Sequence, residues 1–207
     1  MKHAKMLALA AVAAGVLMAL IGAGSASATV ICSTTADPCP AGQSWAVGTK
    51  IHFTQTAGTT SNLVDTKGNA LDTCKTSTVQ GELSASNTGP VTSLTWGDAT
   101  NKCTFPTTTI KLGKLEVKKS VGTSNGTVVA DGTFEVTFIH AVLGDCVYGV
   151  DSGTSLGDLT EGNPFIFHTN GLGKEIGNKV SCPDDAIWTA TYTLTSPSGT
   201  TGSVSAS

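Results

Sequence analysis

Gly153-Thr154-Ser155-Leu156-Gly157 has the Gly-x-Ser-x-Gly spacing of a nucleophile elbow, in which small flanking residues let a serine sit on a strained strand-to-helix turn. Acyl-transfer chemistry needs more than that serine: a histidine base, a carboxylate that orients it, and donors for the oxyanion. Asp158 and His168 are the nearest candidates, but they follow closely in sequence, whereas triad partners are ordinarily distant, and no helical pattern follows the serine. In a chain with 24 glycines the pentapeptide reads more simply as a turn. No catalytic residue is therefore assigned, and Ser155 is carried only as the nucleophile of an alternative reading.

The other chemistry-bearing residues are similarly dispersed. His140 continues the face formed by Phe134, Val136 and Phe138, which places it at the edge of a core. His52, between Ile51 and Phe53, points to solvent, and His168 follows Phe165-Ile166-Phe167 at a strand end. Asp145, Asp151 and Asp158 are carboxylates of the kind that gather around calcium, but their spacing fits no calcium-loop pattern. Asp184-Asp185 after Pro183 reads as an exposed turn. The six cysteines include no Cys-x-x-Cys pair and no nearby histidine, so neither a metal site nor a cofactor is expected. Thr189, Thr191, Thr193 and Thr195 form a hydroxyl row of the kind that orders water or meets sugars, and equally the row that any solvent-facing strand carries.

What positions these residues begins with export. Lys2 and Lys5, the apolar run from Met6 to Ile21, and the small residues ending at Ala26-Ser27-Ala28 have the three parts of a secretory signal over residues 1–28. The apolar run is shorter than the roughly 20 residues needed to span a bilayer, so no membrane association is expected after cleavage. The remaining 29–207 fits one mature β-domain, with a disordered Ser/Thr/Gly tail from about 197. Removing Lys2 and Lys5 from the 12 cationic residues leaves 10 lysines against 15 carboxylates, a formal charge of −5 with no arginine anywhere. That composition argues against a nucleic-acid partner.

In an exported chain, six cysteines imply three disulfides. Six cysteines allow 15 connectivities, and pairing between neighbours is the expectation: Cys32–Cys39 around a turn-forming segment, then Cys74–Cys103 and Cys146–Cys182.

The mature region reads as strands. From Ala186 to Thr195 the even positions are Ala, Trp, Ala, Tyr and Leu, and the odd positions are Ile followed by four threonines. This predicts Trp188, Tyr192 and Leu194 buried with the threonines outside. Shorter alternations recur at Phe134–Phe138, Leu115–Val117, Ile51–Phe53 and Leu94–Trp96. Turn signals separate them at Lys67-Gly68-Asn69, Asn87-Thr88-Gly89-Pro90, Asn125-Gly126 and Asp131-Gly132. Asn125-Gly126-Thr127 also fits a glycosylation sequon, although a hairpin turn is the simpler reading. No helix longer than two turns is expected after Ile21. The fold class is all-β, an antiparallel β-sandwich or barrel-like domain stapled by disulfides.

At Cys146-Val147-Tyr148-Gly149, and at Cys182-Pro183 followed by the strand Trp188 to Pro197, the sequence resembles a group of uncharacterised secreted β-rich proteins of actinobacteria. The Cys32 to Cys39 loop and Asn125-Gly126-Thr127 share the likeness. The resemblance implies an extracellular protein with structural cysteines and brings no catalytic residue with it. A looser likeness, at the level of fold class, is to the immunoglobulin-like apoproteins that actinomycetes secrete to carry a chromophore.

The expected function is that of a secreted, non-enzymatic β-domain that associates with a surface or binds a ligand, with a cell-envelope component or a small molecule as partner. The alternatives are a small secreted serine hydrolase using Ser155 and a small-ligand carrier with an apolar cleft between two sheets. The secreted form should begin at or next to Thr29. Intact mass should show loss of residues 1–28, and retention of Met6 to Ile21 would contradict the signal reading.

Overall fold

The computed structural model describes residues 28–100, 102–177, 179–197 and 201–206, so the secretory signal, save Ala28, lies outside the described residues. No helix occurs among them. The first half of the chain forms β1 (Thr29–Cys32), β2 (Lys50–Gln55), β3 (Ser61–Asp65), β4 (Ala70–Cys74), β5 (Ser77–Glu82), β6 (Thr88–Trp96) and β7 (Thr107–Lys111). The second half forms β8 (Lys114–Lys119), β9 (Gly126–Asp131), β10 (Phe134–His140), β11 (Gly144–Val150) and β12 (Ser155–Thr160). It ends with β13 (Ile166–Glu175), β14 (Asp185–Ser196) and β15 (Ser203–Ala206).

Eight strands close on themselves in the order β14-β2-β5-β6-β8-β9-β12-β13 and back to β14, every neighbour antiparallel. Of the two architectures the alternation allowed, the protein thus adopts the barrel, with strands added to it. Closure removes the free edges that an open sheet would expose.

The added strands attach to one hairpin. β13 and β14 run side by side over nine register pairs, from Ile166↔Thr193 to Lys174↔Asp185. At one end they take barrel partners, β12 on Ile166–Thr169 and β2 on Tyr192–Ser196. At the other end β11 pairs with Lys174 and Glu175, and β3 pairs with Ala186–Thr189. There the hairpin is the centre of a side sheet, β4-β3-β14-β13-β11-β10-β7.

The period-2 pattern of β14 survives intact. Ala186, Ala190, Tyr192 and Leu194 are buried, and Thr195 faces solvent. Trp188 is half-buried rather than fully enclosed. Its indole lies 5.2 Å from that of Trp96 and donates to Ser61 Oγ at 3.1 Å. The main core fills the barrel with Phe53, Leu94, Val117, Val128, Leu159, Phe167, Tyr192 and Leu194. A smaller core of Leu71, Phe138, Tyr148 and Ala186 lies under the side sheet around the Cys146–Cys182 bridge. Cys74–Cys103 ties β4 to the segment before β7, and Cys32–Cys39 closes a short loop after β1.

The C-terminal tail differs from expectation. Ser203–Ala206 is a strand, not a disordered segment, and pairs with β1 from Thr29↔Ala206 to Cys32↔Ser203. Ile31 and Val204 both enter the main core. Ser203 Oγ donates to Thr34 O, and Ser205 Oγ to Asp37 Oδ1 at 2.8 Å. The two chain ends therefore form a clasp packed on β8 and β12. Hydrogen bonding from the Lys119 ammonium, then from Ser205, holds the Asp37 carboxyl below its ordinary range. This tie is present above the ordinary carboxylate pKa and is lost as pH falls through the lowered value.

Two glycines expected at turns serve instead as contact points. Gly126 opens β9, and a Cβ there would meet Val204 Cγ2 at 2.7 Å. Gly89 lies inside β6, where a Cβ would come within 2.0 Å of the Glu82 carbonyl oxygen. The chain turns earlier in both hairpins, with Gly122 at φ 74° between β8 and β9.

Val204→Ala should cost about 1.5–3 kcal/mol, since a fully buried side chain is truncated. Thr191→Ala, on the outer face of β14, should stay within about 0.5 kcal/mol of the parent. Similar losses for the two in urea unfolding would refute the clasp's role.

Candidate functional site

Ser155 begins β12 on the exposed surface, at an irregularity where the register against β9 shifts between Ser155 and Gly157. A bulge of this kind explains the surrounding glycines: at Gly157, φ is 145° and a Cβ would lie 2.0 Å from the His168 carbonyl oxygen. Among the described residues no hydrogen bond joins Ser155 to a histidine. The elbow pattern here marks a close approach of β12 to β13.

Asp158 and His168, adjacent in register, do come together with Thr191 on the outer wall. Asp158 Oδ1 accepts from Thr127 Oγ1 at 3.1 Å, and His168 Nδ1 lies 3.3 Å from Thr191 Oγ1. The row continues to Lys118 through Thr127. These groups are exposed on a convex wall, and neighbouring threonines bond to one another: Thr56 with Thr193 at 2.8 Å and Thr78 with Thr95 at 2.6 Å. His52 also lies on the outer face, near Gln80 Nε2 at 3.5 Å. His140 Nδ1 accepts the backbone N–H groups of Val142 and Leu143, each at 3.1 Å, so it shapes the β10–β11 turn.

Asp145, Asp151 and Asp158 do not converge. Among the described residues, the one group with three candidate donor atoms within 4.8 Å of each other is Asp72, Cys74 and Cys103. Both cysteines are committed to their disulfide, which leaves no thiolate for a metal. Asp184 and Asp185 border a polar groove of about 440 Å³ with Asp65, whose carboxylate is taken up by Lys67 N, Asn69 N and Asn69 Nδ2.

The barrel interior is where space and chemistry coincide. Eight strands enclose a lumen just wide enough to be filled by side chains or to hold one small ligand. Here the filling is incomplete, and two apolar cavities remain, of about 70 and 80 Å³; the long hairpin presents Gly171, Gly173 and Ala186 to the first. The first lies where the barrel interior continues under the side sheet, between the hairpin and a wall of Leu94, Trp96, Phe134 and Tyr148, and β3, β4, β7, β10 and β11 contribute to its lining. The second lies toward the clasp, against Ile31, Trp45, Phe53 and Phe165. They share Val79, Val91, Leu115 and Phe167, so a single layer of side chains divides them.

Around these cavities the buried polar groups are paired. Ser77 Oγ donates to Gln55 Oε1 at 2.9 Å, which leaves the Tyr192 hydroxyl to donate to Ser77 Oγ at 2.8 Å. Gln55 Nε2 donates to the carbonyls of Thr59 and Lys75. Burial pushes the Tyr192 hydroxyl up to about 12, so it remains a donor through the neutral range. The Tyr148 hydroxyl, raised by burial and by Glu175 nearby, donates to Pro183 O at 2.9 Å. Trp96 Nε1 donates to Thr109 Oγ1 at 3.0 Å.

One group at the first cavity was not foreseen in the sequence. Asp72 of β4 is 4 % exposed and faces inward beside Leu63, its register partner. Its Oδ1 accepts from Thr73 N at 2.8 Å and Phe105 N at 3.0 Å, and its Oδ2 accepts from the Thr107 hydroxyl. The available signal was an aspartate two residues before a structural cysteine in a short strand, which places both on one face.

No protein-family model matches the chain, and neither does any curated protein or solved structure.

Ser155→Ala should leave the unfolding free energy within about 0.5 kcal/mol of the parent, as for other exposed substitutions. Tyr192→Phe should cost about 1–3 kcal/mol, because Ser77 Oγ loses a buried donor. Equal effects in urea denaturation would contradict the assignment of Ser155 to the surface and Tyr192 to the core.

Proposed function

We propose that the protein is an exported, non-enzymatic binding barrel that holds a small apolar molecule in its interior. The pair of adjoining apolar cavities, one at the inward glycines of β13 and one toward the clasp, carries this reading. An unfilled apolar lumen forfeits dispersion contacts, which a bound molecule restores. The outer wall, by contrast, is exposed and convex, and several of its threonine hydroxyls are paired with one another.

Export is supported by the secretory pattern of residues 1–28 and by three disulfides, which persist in oxidising compartments. No helix among the described residues is long and apolar enough to cross a membrane. The barrel is apolar inside, and its outer face carries threonine, lysine, histidine and aspartate. Barrels that span membranes have the reverse arrangement.

Xenon or a small hydrocarbon added to the mature protein should shift the indole N–H resonances of Trp96 and Trp188 in a saturable manner. Solvent extraction of protein secreted by its native host should release a small apolar compound at near one per chain. Absence of both results would overturn the proposal.

A further inference from the structure

The first cavity has a polar end. Its lining contains three polar side chains besides the tyrosine already bonded to Pro183: Ser61, Asp72 and Thr107. They belong to β3, β4 and β7: Thr107 bonds directly to Asp72, and Ser61 pairs in register with Cys74, two residues from Asp72 along β4. Asp72 is the one charged residue among the lining, and no cationic side chain among the described residues pairs with it.

A buried carboxylate without a counter-charge is expensive, and proteins ordinarily pair it or neutralise it. The fold does use Asp72, whose Oδ1 pins the backbone at Thr73 and Phe105. That task does not require a charge. An asparagine would accept both N–H bonds through its carbonyl oxygen and meet the Thr107 hydroxyl with its amide. The carboxylate leaves more: about four acceptor positions, of which three are taken by protein donors of ordinary kind. The remaining one is on Oδ2, which the Cys74 sulfur faces at 3.7 Å without donating, since it is held in its disulfide. Thr107 Oγ1, which donates to Asp72, and Ser61 Oγ, which accepts from Trp188 Nε1, each keep a lone pair as well.

We propose that the molecule held in the first cavity is a small apolar amine, bound as its ammonium by Asp72, Ser61 and Thr107. An alkylammonium brings three N–H donors to three acceptors and the missing positive charge to the carboxylate. Its hydrocarbon part lies against Leu63, Trp96 and Trp188, and the two indoles add the attraction of aromatic rings for a cation. The cavity of about 70 Å³ limits the ligand to a handful of heavy atoms. This inference rests on the barrel interior being the binding site.

The test compares n-butylamine, an ammonium at neutral pH, with methyl propyl ether, which has the same number of heavy atoms and no donor. Each is titrated into the full mature protein and followed at the Trp96 and Trp188 indole N–H signals. The ammonium should bind at least about tenfold more tightly, a difference in the range expected of a charged hydrogen-bonded pair. Asp72→Asn should bring the two to within about twofold by weakening the amine and leaving the ether unchanged. Should Asp72→Asn fail to fold, the unaltered protein still decides: nuclear Overhauser contacts should link the amine α-methylene to the Thr107 methyl. Equal affinities, a preference that survives Asp72→Asn, or an amine whose α-methylene contacts Phe165 or Trp45 would overturn the amine assignment alone. If neither probe binds, the interior-binding proposal fails with it.

Discussion

The ladder between β13 and β14 is the constraint on which the rest of the molecule depends. Its nine register pairs make it the longest pairing of the fold, and both the barrel and the side sheet are built outward from it. A shift of one residue in β14 would turn Tyr192 and Leu194 outward and the threonines inward, which the burial of its alternate positions forbids. With the ladder fixed, β2 and β12 are set at one end and β3 and β11 at the other. The inward glycines of β13 then lie opposite Trp188 and Ala186, in the same register that closes the barrel.

Because one hairpin serves two sheets, core and cavity have a common origin. The barrel end of the ladder carries Phe167, Tyr192 and Leu194, large side chains that are all buried. The other end carries Gly171, Gly173 and Ala186, where strands from the side sheet approach closely. Gly173 meets the Tyr148 Cβ at 3.4 Å from where its own Cβ would stand, and Leu156 closes over Gly171. Small residues that let the backbones cross also leave the space beside Trp96 and Trp188.

Where alternation is long the fold was legible in the sequence, and where chain segments meet by contact alone it was not. Ten alternating positions identify β14 and its buried face, because a run of that length at period 2 matches the pleat of a strand and no helical periodicity. Gly126 and Gly89 look like turn residues, since sequence does not distinguish a glycine needed for a positive φ from one needed to admit Val204 or the Glu82 carbonyl. Ser203–Ala206 offers only four residues within a Ser/Thr/Gly stretch, and its partner, β1, is far away in sequence. Asp72 is hidden for a different reason. The β3–β4 register shifts between Leu63 and Val64, so Leu71 and Asp72 are buried in succession and the local period is broken. Ser155 is legible as a constrained position, but the constraint is the approach of β12 to β13.

The clasp of β1 and β15 sets an order of events for a chain emerging from its N-terminus. β2 must wait for β14, and β1 for β15, so the barrel seam cannot form before Ser196 is available nor the clasp before Ala206. Local hairpins such as β5–β6 and β8–β9 have no such delay. A polypeptide arranged this way can form its hairpins early, yet its barrel stays unsealed until β14 arrives, with β15 as the latch on β1.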